Sequence, residues 1–194
     1  INGYPEAMAF LKAQGWQILN QPISMQADIN GFQVTANILE TDRQLNQSGI
    51  ITRSVEPADI PRLLPFIQEH FGWDWVRFAQ EYLLELFGVG SNHVVFLVAT
   101  KGDEIVGYCQ QRGERFGPFG VAPEMRGNGI GRVLLFKCLA ESASRSIHCA
   151  WFLWTGEDAA RLYALAGFEK ARQIAVLEKN FENGERAWKN SISW

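Results

Sequence analysis

The feature that most constrains this chain is a glycine-rich turn between an apolar strand and an apolar helix. The pattern predicts a strand at Phe116–Val121, whose pairing ends at Pro123, and a helix at Val133–Ala143. The turn between them contains three glycines, namely Gly127, Gly129 and Gly131. Glycines let successive backbone N–H groups point into one concavity, and the following helix adds its unpaired first amides and the positive end of its dipole. The turn therefore predicts a cradle for a pyrophosphate, with Arg126 and Arg132 at its rim.

Two familiar nucleotide-binding loops do not match this turn. Its glycine spacing differs from the GxGxxG pattern of dinucleotide-binding folds, and it does not open the domain in a first βαβ unit. It also lacks the lysine of a phosphate-binding P-loop. A tight strand-to-helix turn without a ligand is the alternative that the turn alone leaves open.

Strands and amphipathic helices alternate along the chain from about Ile50, which predicts a mixed α/β domain. Further predicted strands are Ile50–Val55, His93–Thr100, Glu104–Gln111, His148–Trp154 and Gln173–Lys179. Further helices are predicted from Pro57, from Trp75 to Phe87, and at Asp158–Ala166. The glycines and proline inside Phe116–Val121 predict a bulge, or a strand that parts from its neighbour.

Two motifs in this order resemble those of the GNAT superfamily of acetyl-CoA-dependent N-acetyltransferases. Arg126-x-x-Gly129-x-Gly131 is similar to the R/Q-x-x-G-x-G/A motif, and Ala159–Phe168 is similar to the A-x-x-x-Y-x-x-x-G-F helix. The resemblance covers about Ile50–Phe181 and implies the GNAT fold, a mixed sheet with splayed central strands. The stretch Glu114–Val121 also resembles tandem members of the superfamily.

The resemblance implies acetyl-CoA as co-substrate. The pantetheine arm would pair with the backbone of Phe119, Gly120 and Val121, and a backbone N–H near Val121 would stabilise the oxyanion. The pyrophosphate would be held by Arg126, Gly127, Asn128, Gly129, Ile130, Gly131 and Arg132. Asp158 stands where many members carry Asn, so the resemblance implies a contact with the CoA arm there, and Asp158 can also cap its helix.

The same resemblance implies a general acid and leaves the base open. Tyr163 matches the residue that protonates the departing CoA thiolate, a role suited to a phenol whose pKa lies near ~10. The alternative is that Tyr163 only packs against Leu162 and Phe168. Glu114 is the first candidate for the base, with ordered water or a mere surface ion pair as the alternatives.

The acceptor is predicted to be a primary amine of a small molecule. Trp73 and Asp74 fall between the first two helices of the domain, where the family builds its acceptor wall. Trp73 and Trp75 could stack on a sugar or frame an amine, with Asp74 attracting its charge, while core packing is the alternative for Trp75. A non-catalytic acetyl-CoA-binding or protein-interaction module is the competing function, because no base is obvious.

Composition excludes several other classes. A net charge of −3 argues against a nucleic-acid partner. No apolar run has the ~18 residues of a membrane helix. Three cysteines without paired spacing predict reduced thiols and a cytoplasmic protein, and three scattered histidines predict that no metal is bound.

The N-terminal residues resemble the C-terminal part of the domain. At an offset of 152 positions, Gly15-Trp16 falls on Gly167-Phe168 and Met25 on Leu177, although chance similarity of two such units is the alternative. Residues 1–47 are predicted to be the remnant of a first GNAT-like copy or an N-terminal extension, 48–183 a complete GNAT domain and 184–194 a tail. The rest of a tandem protein or a homodimer partner would cover the remnant.

Overall fold

The computed structural model describes residues 4–180, so the predicted tail 184–194 and the last three residues of the predicted domain lie outside the description. The elements, in chain order, are α1 (Pro5–Ala13), β1 (Gln17–Asn20), β2 (Ile23–Asp28), α2 (Ala36–Gln47), β3 (Ile50–Ser54), α3 (Ile60–Phe71), α4 (Trp73–Leu84), β4 (Val94–Lys101), β5 (Glu104–Arg112), β6 (Arg115–Val121), α5 (Ile130–Ser144), β7 (Cys149–Thr155), α6 (Glu157–Ala164), β8 (Glu169–Gln173) and β9 (Val176–Glu178). A π-helical turn, Glu85–Val89, follows α4.

The chain forms two compact units, and β7 runs from one into the other. The larger unit is Ala27–Trp151. Its strands follow the order β3-β4-β5-β6-β7, antiparallel as far as β6 and parallel between β6 and β7. Tyr108 on β5 contacts Phe71 of α3, while its neighbour Cys109 faces Cys138 of α5. Because adjacent residues of a strand point to opposite faces, α3 and α5 cover opposite faces of the sheet.

Local sequence explains the boundaries of the first helices in this unit. The Asp59 carboxylate accepts the Glu56 N–H (2.8 Å) in a capping box just before α3. Gly72, at φ +94°, separates α3 from α4. Beneath these helices, β4 is buried along its whole length except for Lys101. The sheet between α3 and α5 is therefore the core of the larger unit.

The smaller unit consists of the described residues of Ile1–Gln26 and Phe152–Trp194. In it, β2 lies between β8 and the residues of β7 from Phe152 onward. A separate two-stranded sheet joins β1 to β9. α1 has no buried residue among those described, whereas Ala166 and Phe168, which follow α6, are buried.

The predicted fold class is confirmed, because the chain is a mixed α/β protein with a mixed sheet. One local prediction is wrong, and one element was not predicted. Gln173–Lys179 is not one strand, since Ile174 and Ala175 separate β8 from β9. The first fifty residues also contain a second helix, α2, which the sequence did not indicate.

The predicted division at residue 47 stays a prediction, although α2 and β3 belong to the same compact unit.

None of the helices within residues 4–180 combines the length and the apolar composition that a membrane span requires.

Candidate functional site

The glycine-rich segment forms the predicted turn between the end of β6 and α5. Pro123–Met125 make one 3-10 turn, and Gly129 is the left-handed residue before α5, with φ +87°. No side chain of the described residues caps α5, whose first backbone bond runs from Val133 N to Gly129 O (3.0 Å). The N–H groups of the first helical turn precede that bond and have no acceptor within the helix. These groups belong to Ile130, Gly131 and Arg132.

Side chains of the turn fix its curvature. Arg126 Nε donates to the carbonyl of Val121, the last residue of β6 (3.1 Å), and Asn128 Nδ2 donates to the carbonyl of Met125 (3.2 Å). Because the Asn128 amide is used inside the turn, its contribution to a ligand would be its backbone N–H. Arg132 is exposed at the start of α5. The turn thus offers backbone amides and two cationic side chains, as a pyrophosphate site requires.

A close contact with α2 explains why residue 129 is glycine. A Cβ at Gly129 would lie 2.7 Å from Thr41 Cγ2. α2 is held in place by Lys137 of α5, whose ammonium lies 2.7 Å from Asp42 Oδ2 and 2.6 Å from Thr52 Oγ1. Sequence reasoning missed Thr41, because it predicted no helix there and assigned residues 1–47 to a different part of the protein.

The other end of this site is set by an aromatic contact on β6. A Cβ at Gly120 would lie 2.3 Å from Cζ of Phe71, so only glycine allows the ring to rest on the strand. Phe71 is stacked on Trp75, with centroids 4.9 Å apart and planes at 11°, and meets Tyr108 edge-on at 5.9 Å. The junction of α3 and α4 therefore lies directly against the strand predicted to bind pantetheine.

The predicted acceptor residues lie at this junction. Trp73 begins α4 and is 67% exposed, and Asp74 follows in its first turn. Trp75 packs on Phe71, as expected from the core-packing alternative. An exposed indole beside a packed aromatic cluster is suited to stacking on a ligand, and the acceptor role of Trp73 and Asp74 stays a prediction.

The pairing of β6 is irregular, as its Gly and Pro content predicted. Its register with β5 shifts between Cys109 and Gln111, and the Gly117–Pro118 peptide is cis. Phe119 is half-buried and Val121 is buried. Gln110, at the register shift, is fully buried, and neither of its side-chain amide atoms has a hydrogen-bond partner among residues 4–180. Sequence reasoning missed this buried amide, because it lies in an otherwise apolar strand.

Glu114 lies at the opposite end of β6 from the turn. Its carbonyl accepts the N–H of Trp151 (2.9 Å), next to the parallel pair Arg115–Trp151. Burial, and then the carboxylates of Glu114 and Asp28, raise the pKa of Cys149. Seven residues of strand separate Glu114 from the end of β6, roughly 23 Å at ~3.3 Å per residue. The structure does not bring Glu114 to the turn, and its role as base stays a prediction that requires proton transfer through water.

The predicted acid belongs to the smaller unit. Tyr163, on α6, packs its ring on Phe152 and Phe168, with centroids 4.4 and 5.5 Å away. This packing agrees with the structural alternative and also fixes the ring, so it does not decide the role of the phenol. Asp158 lies in α6, but its side chain is outside the described part of the structure. No group of His, Cys, Asp and Glu in residues 4–180 could hold a metal.

Comparison with known proteins identifies the domain. Residues 92–170 match the family model described as an acetyltransferase (GNAT) domain. No curated protein matches the chain.

Solved structures share the fold at low identity. A glucosamine N-acetyltransferase region of a fungal multi-domain β-N-acetylglucosaminidase is 18% identical, covers 89% of this chain and 22% of its own, and has a TM-score of 0.69. A GCN5-related N-acetyltransferase from Sphaerobacter thermophilus is also 18% identical, covers 88% and 55%, and scores 0.63. One from Kribbella flavida is 15% identical, covers 89% and 63%, and scores 0.53. This chain therefore spans less than two thirds of each of these proteins.

Proposed function

Because the chain belongs to the GNAT superfamily, a class of acyltransferases, we propose that it transfers the acetyl group of acetyl-CoA to a primary amine of a small molecule. The observation that carries the proposal is the turn before α5, where the amides of Ile130, Gly131 and Arg132 have no acceptor within the helix. A pyrophosphate is the anion that such a helix start, with Arg126 and Arg132 beside it, binds well.

The proposal assigns β6 to the pantetheine arm and the turn to the pyrophosphate. The backbone of Phe119, Gly120 and Val121 would pair with the arm, since β6 is irregular and glycine-rich at this point. A backbone N–H near Val121 would donate to the oxyanion that forms when the amine attacks the acetyl carbonyl. The same attack expels the CoA thiolate.

Tyr163 is assigned to protonate that thiolate. The proton leaves the phenol oxygen and is replaced from solvent, while the attacking amine loses its own proton through water, with Glu114 as the candidate base. Support for Tyr163 comes from its motif and from the two rings, Phe152 and Phe168, that hold its side chain.

An amino sugar is the first acceptor class to test. The exposed Trp73 offers an apolar ring face for a sugar, and Asp74 offers a carboxylate for an ammonium group. One structural neighbour is described as a glucosamine N-acetyltransferase region, which supports the choice of the same acceptor class here.

A thiol-release assay with acetyl-CoA tests the proposal across amino sugars, polyamines, amino acids and peptides. We expect turnover with at least one amine, and Tyr163→Phe should lower kcat about 100-fold or more while leaving the Kd for acetyl-CoA nearly unchanged. Tyr4→Phe is the matched control, because Tyr4 is exposed and lies outside both motifs.

Two results would contradict the proposal. If the Tyr163→Phe variant kept full turnover, Tyr163 would not be the general acid. Binding of acetyl-CoA without acetylation of any amine would favour a non-catalytic binding module.

A further inference from the structure

Two segments of the smaller unit repeat each other at a separation of 152 positions. α1 and α6 are each followed by a left-handed glycine with φ +84°, Gly15 and Gly167. In both, the next residue is aromatic, and its N–H donates to the carbonyl five residues before it. These bonds run from Trp16 to Leu11 (3.1 Å) and from Phe168 to Tyr163 (3.2 Å).

The strands that follow pair reciprocally. The ladder between β1 and β9 contains Gln17–Glu178, Ile18–Leu177 and Asn20–Val176, with an irregularity after the second pair. The ladder between β8 and β2 contains Glu169–Gln26, Lys170–Met25 and Arg172–Ser24, with an irregularity at the same place. A shift of 152 positions converts each pair into its counterpart. Each repeat therefore gives its last strand to the other repeat, in the same register.

The repeats differ in what covers them. β2 has a second neighbour in β7. The Ser24 Oγ also donates to the Phe152 carbonyl (3.1 Å), and Met25 is only 5% exposed. Among residues 4–180, β9 pairs with β1 alone, and Leu177, the counterpart of Met25, is half-buried. The strand that would lie beside β9, in the place that β7 takes beside β2, is therefore not among the described residues.

The helices show the same difference. Phe152 covers Tyr163 and Phe168, and Phe168 is 3% exposed. Their counterparts Leu11 and Trp16 are only half-buried. Large apolar side chains at the start of α1, within it and on β1 are also exposed, namely Tyr4, Phe10, Ile18 and Leu19. Isolated exposed apolar residues are ordinary, whereas several of them next to a strand edge that no described strand covers indicate a binding surface.

We propose that this surface, formed by α1, β1 and the edge of β9 that no described strand covers, binds a GNAT-like half-domain equivalent to residues 27–155. Its last strand would pair with β9 as β7 pairs with β2, and an apolar side chain on that strand would cover Leu11 and Trp16 as Phe152 covers their counterparts. This inference does not depend on the acetyl transfer proposed above.

Chain order assigns the half-domain to the same polypeptide, N-terminal to α1. In the described repeat, the larger unit leads through β7 directly into α6. By the same order, the segment that covers α1 leads into α1. The two halves would then be joined by the two exchanged strands, β2 and β9.

The test compares two equivalent substitutions, Met25→Lys and Leu177→Lys, in two proteins. One is the 194-residue chain, and the other is the full-length product of the open reading frame that encodes it, here called the uninterrupted product. In the 194-residue chain, Met25→Lys should lower the Tm by roughly 5–10 °C and Leu177→Lys by less than about 2 °C. In the uninterrupted product, both should lower the Tm by similar amounts. Hydrogen exchange at residues 176–178 should slow in that product, because β9 gains a second neighbour.

Three results would overturn the proposal. One is a reading frame with no GNAT-like half upstream of Ile1. Another is an equal loss from both substitutions in the 194-residue chain, which would mean that β9 is already covered. In that case, truncation after Asn180 tests whether residues 181–194 cover β9, and measurement of the molar mass tests whether a second copy of the chain does. The third is unchanged exchange at β9 in the uninterrupted product.

Discussion

Substitution of Gly129 by alanine combines two separable costs. A non-glycine residue at φ +87° costs about 1–2 kcal/mol, because its Cβ crowds the backbone. The same Cβ would lie 2.7 Å from Thr41 Cγ2, and relief of that overlap by movement of α2 costs about 1–3 kcal/mol more. We therefore expect Gly129→Ala to lower the free energy of unfolding by about 2–5 kcal/mol, measured by urea or thermal unfolding.

Thr41→Ser separates the two costs. Serine lacks the clashing methyl group and keeps the hydroxyl that donates to the Asn37 carbonyl (2.9 Å). In the double variant only the backbone cost of about 1–2 kcal/mol should remain, so the two substitutions should couple by about 1–3 kcal/mol. Gly127→Ala is the matched control, because its φ is +81° and no described atom lies within 4 Å of its Cβ.

The double-mutant cycle also separates packing from ligand binding. If the amides of the turn hold the pyrophosphate, the Kd for acetyl-CoA should rise in Gly129→Ala and should recover in part when Thr41→Ser relieves the overlap. Equal losses of stability for Gly127→Ala and Gly129→Ala, with no coupling to Thr41→Ser, would refute the contact between α2 and the turn.

Two further predictions concern carboxylates. Asp59 is 1% exposed, and the hydrogen bonds that it accepts from Arg53 (2.6 and 2.8 Å) lower its pKa most. Asp59→Asn should cost about 2–3 kcal/mol at pH 7, less than a fully buried pair because Arg53 is 32% exposed. A lowered pKa stabilises the fold above the ordinary carboxyl pKa of ~4, and this contribution is lost as pH falls through the pKa that Asp59 has in the folded protein. The difference in free energy of unfolding between Asp59→Asn and the parent should therefore shrink as pH is lowered. A difference that does not change with pH would contradict the stabilising role of the Asp59 carboxylate. Glu114→Gln should lower kcat less than about tenfold, because the proton must pass through water, and a loss of about 100-fold with a shifted pH profile would instead show direct contact.

The sequence predicted the fold where local patterns were strong. The glycine-rich turn follows from residues that permit few other conformations, and the apolar runs at His93–Thr100 and Glu104–Gln111 predicted β4 and β5. α2 was missed because it buries only Ile38 and Leu45, so its apolar pattern is too sparse to show a helical face. The exchange of β2 and β9 was also missed, since pairing between strands that lie far apart in the sequence leaves no local trace.

The sequence predicted the backbone features of the candidate site better than the contacts of its side chains. The irregular β6 and the free amides of α5 follow from glycine and proline, which act through conformation. Thr41 and Phe71 were not identified, because their contacts with Gly129 and Gly120 come from helices that sequence reasoning could not orient. Glu114 was selected from its neighbourhood in the sequence, and the length of β6 then placed it far from the turn.

Gly120 shows why a motif glycine has more than one explanation. A backbone that pairs with pantetheine needs an accessible strand, and any residue can supply its N–H and carbonyl. Glycine is required here for a different reason, because Phe71 occupies the space where a Cβ would lie. The ring in turn supports Trp75 and fixes the junction that carries Trp73 and Asp74. A substitution at Gly120 would therefore disturb both the strand proposed to bind pantetheine and the junction proposed to bind the acceptor, so variants of Trp73 and Asp74 are the ones that separate acceptor recognition from acetyl-CoA binding.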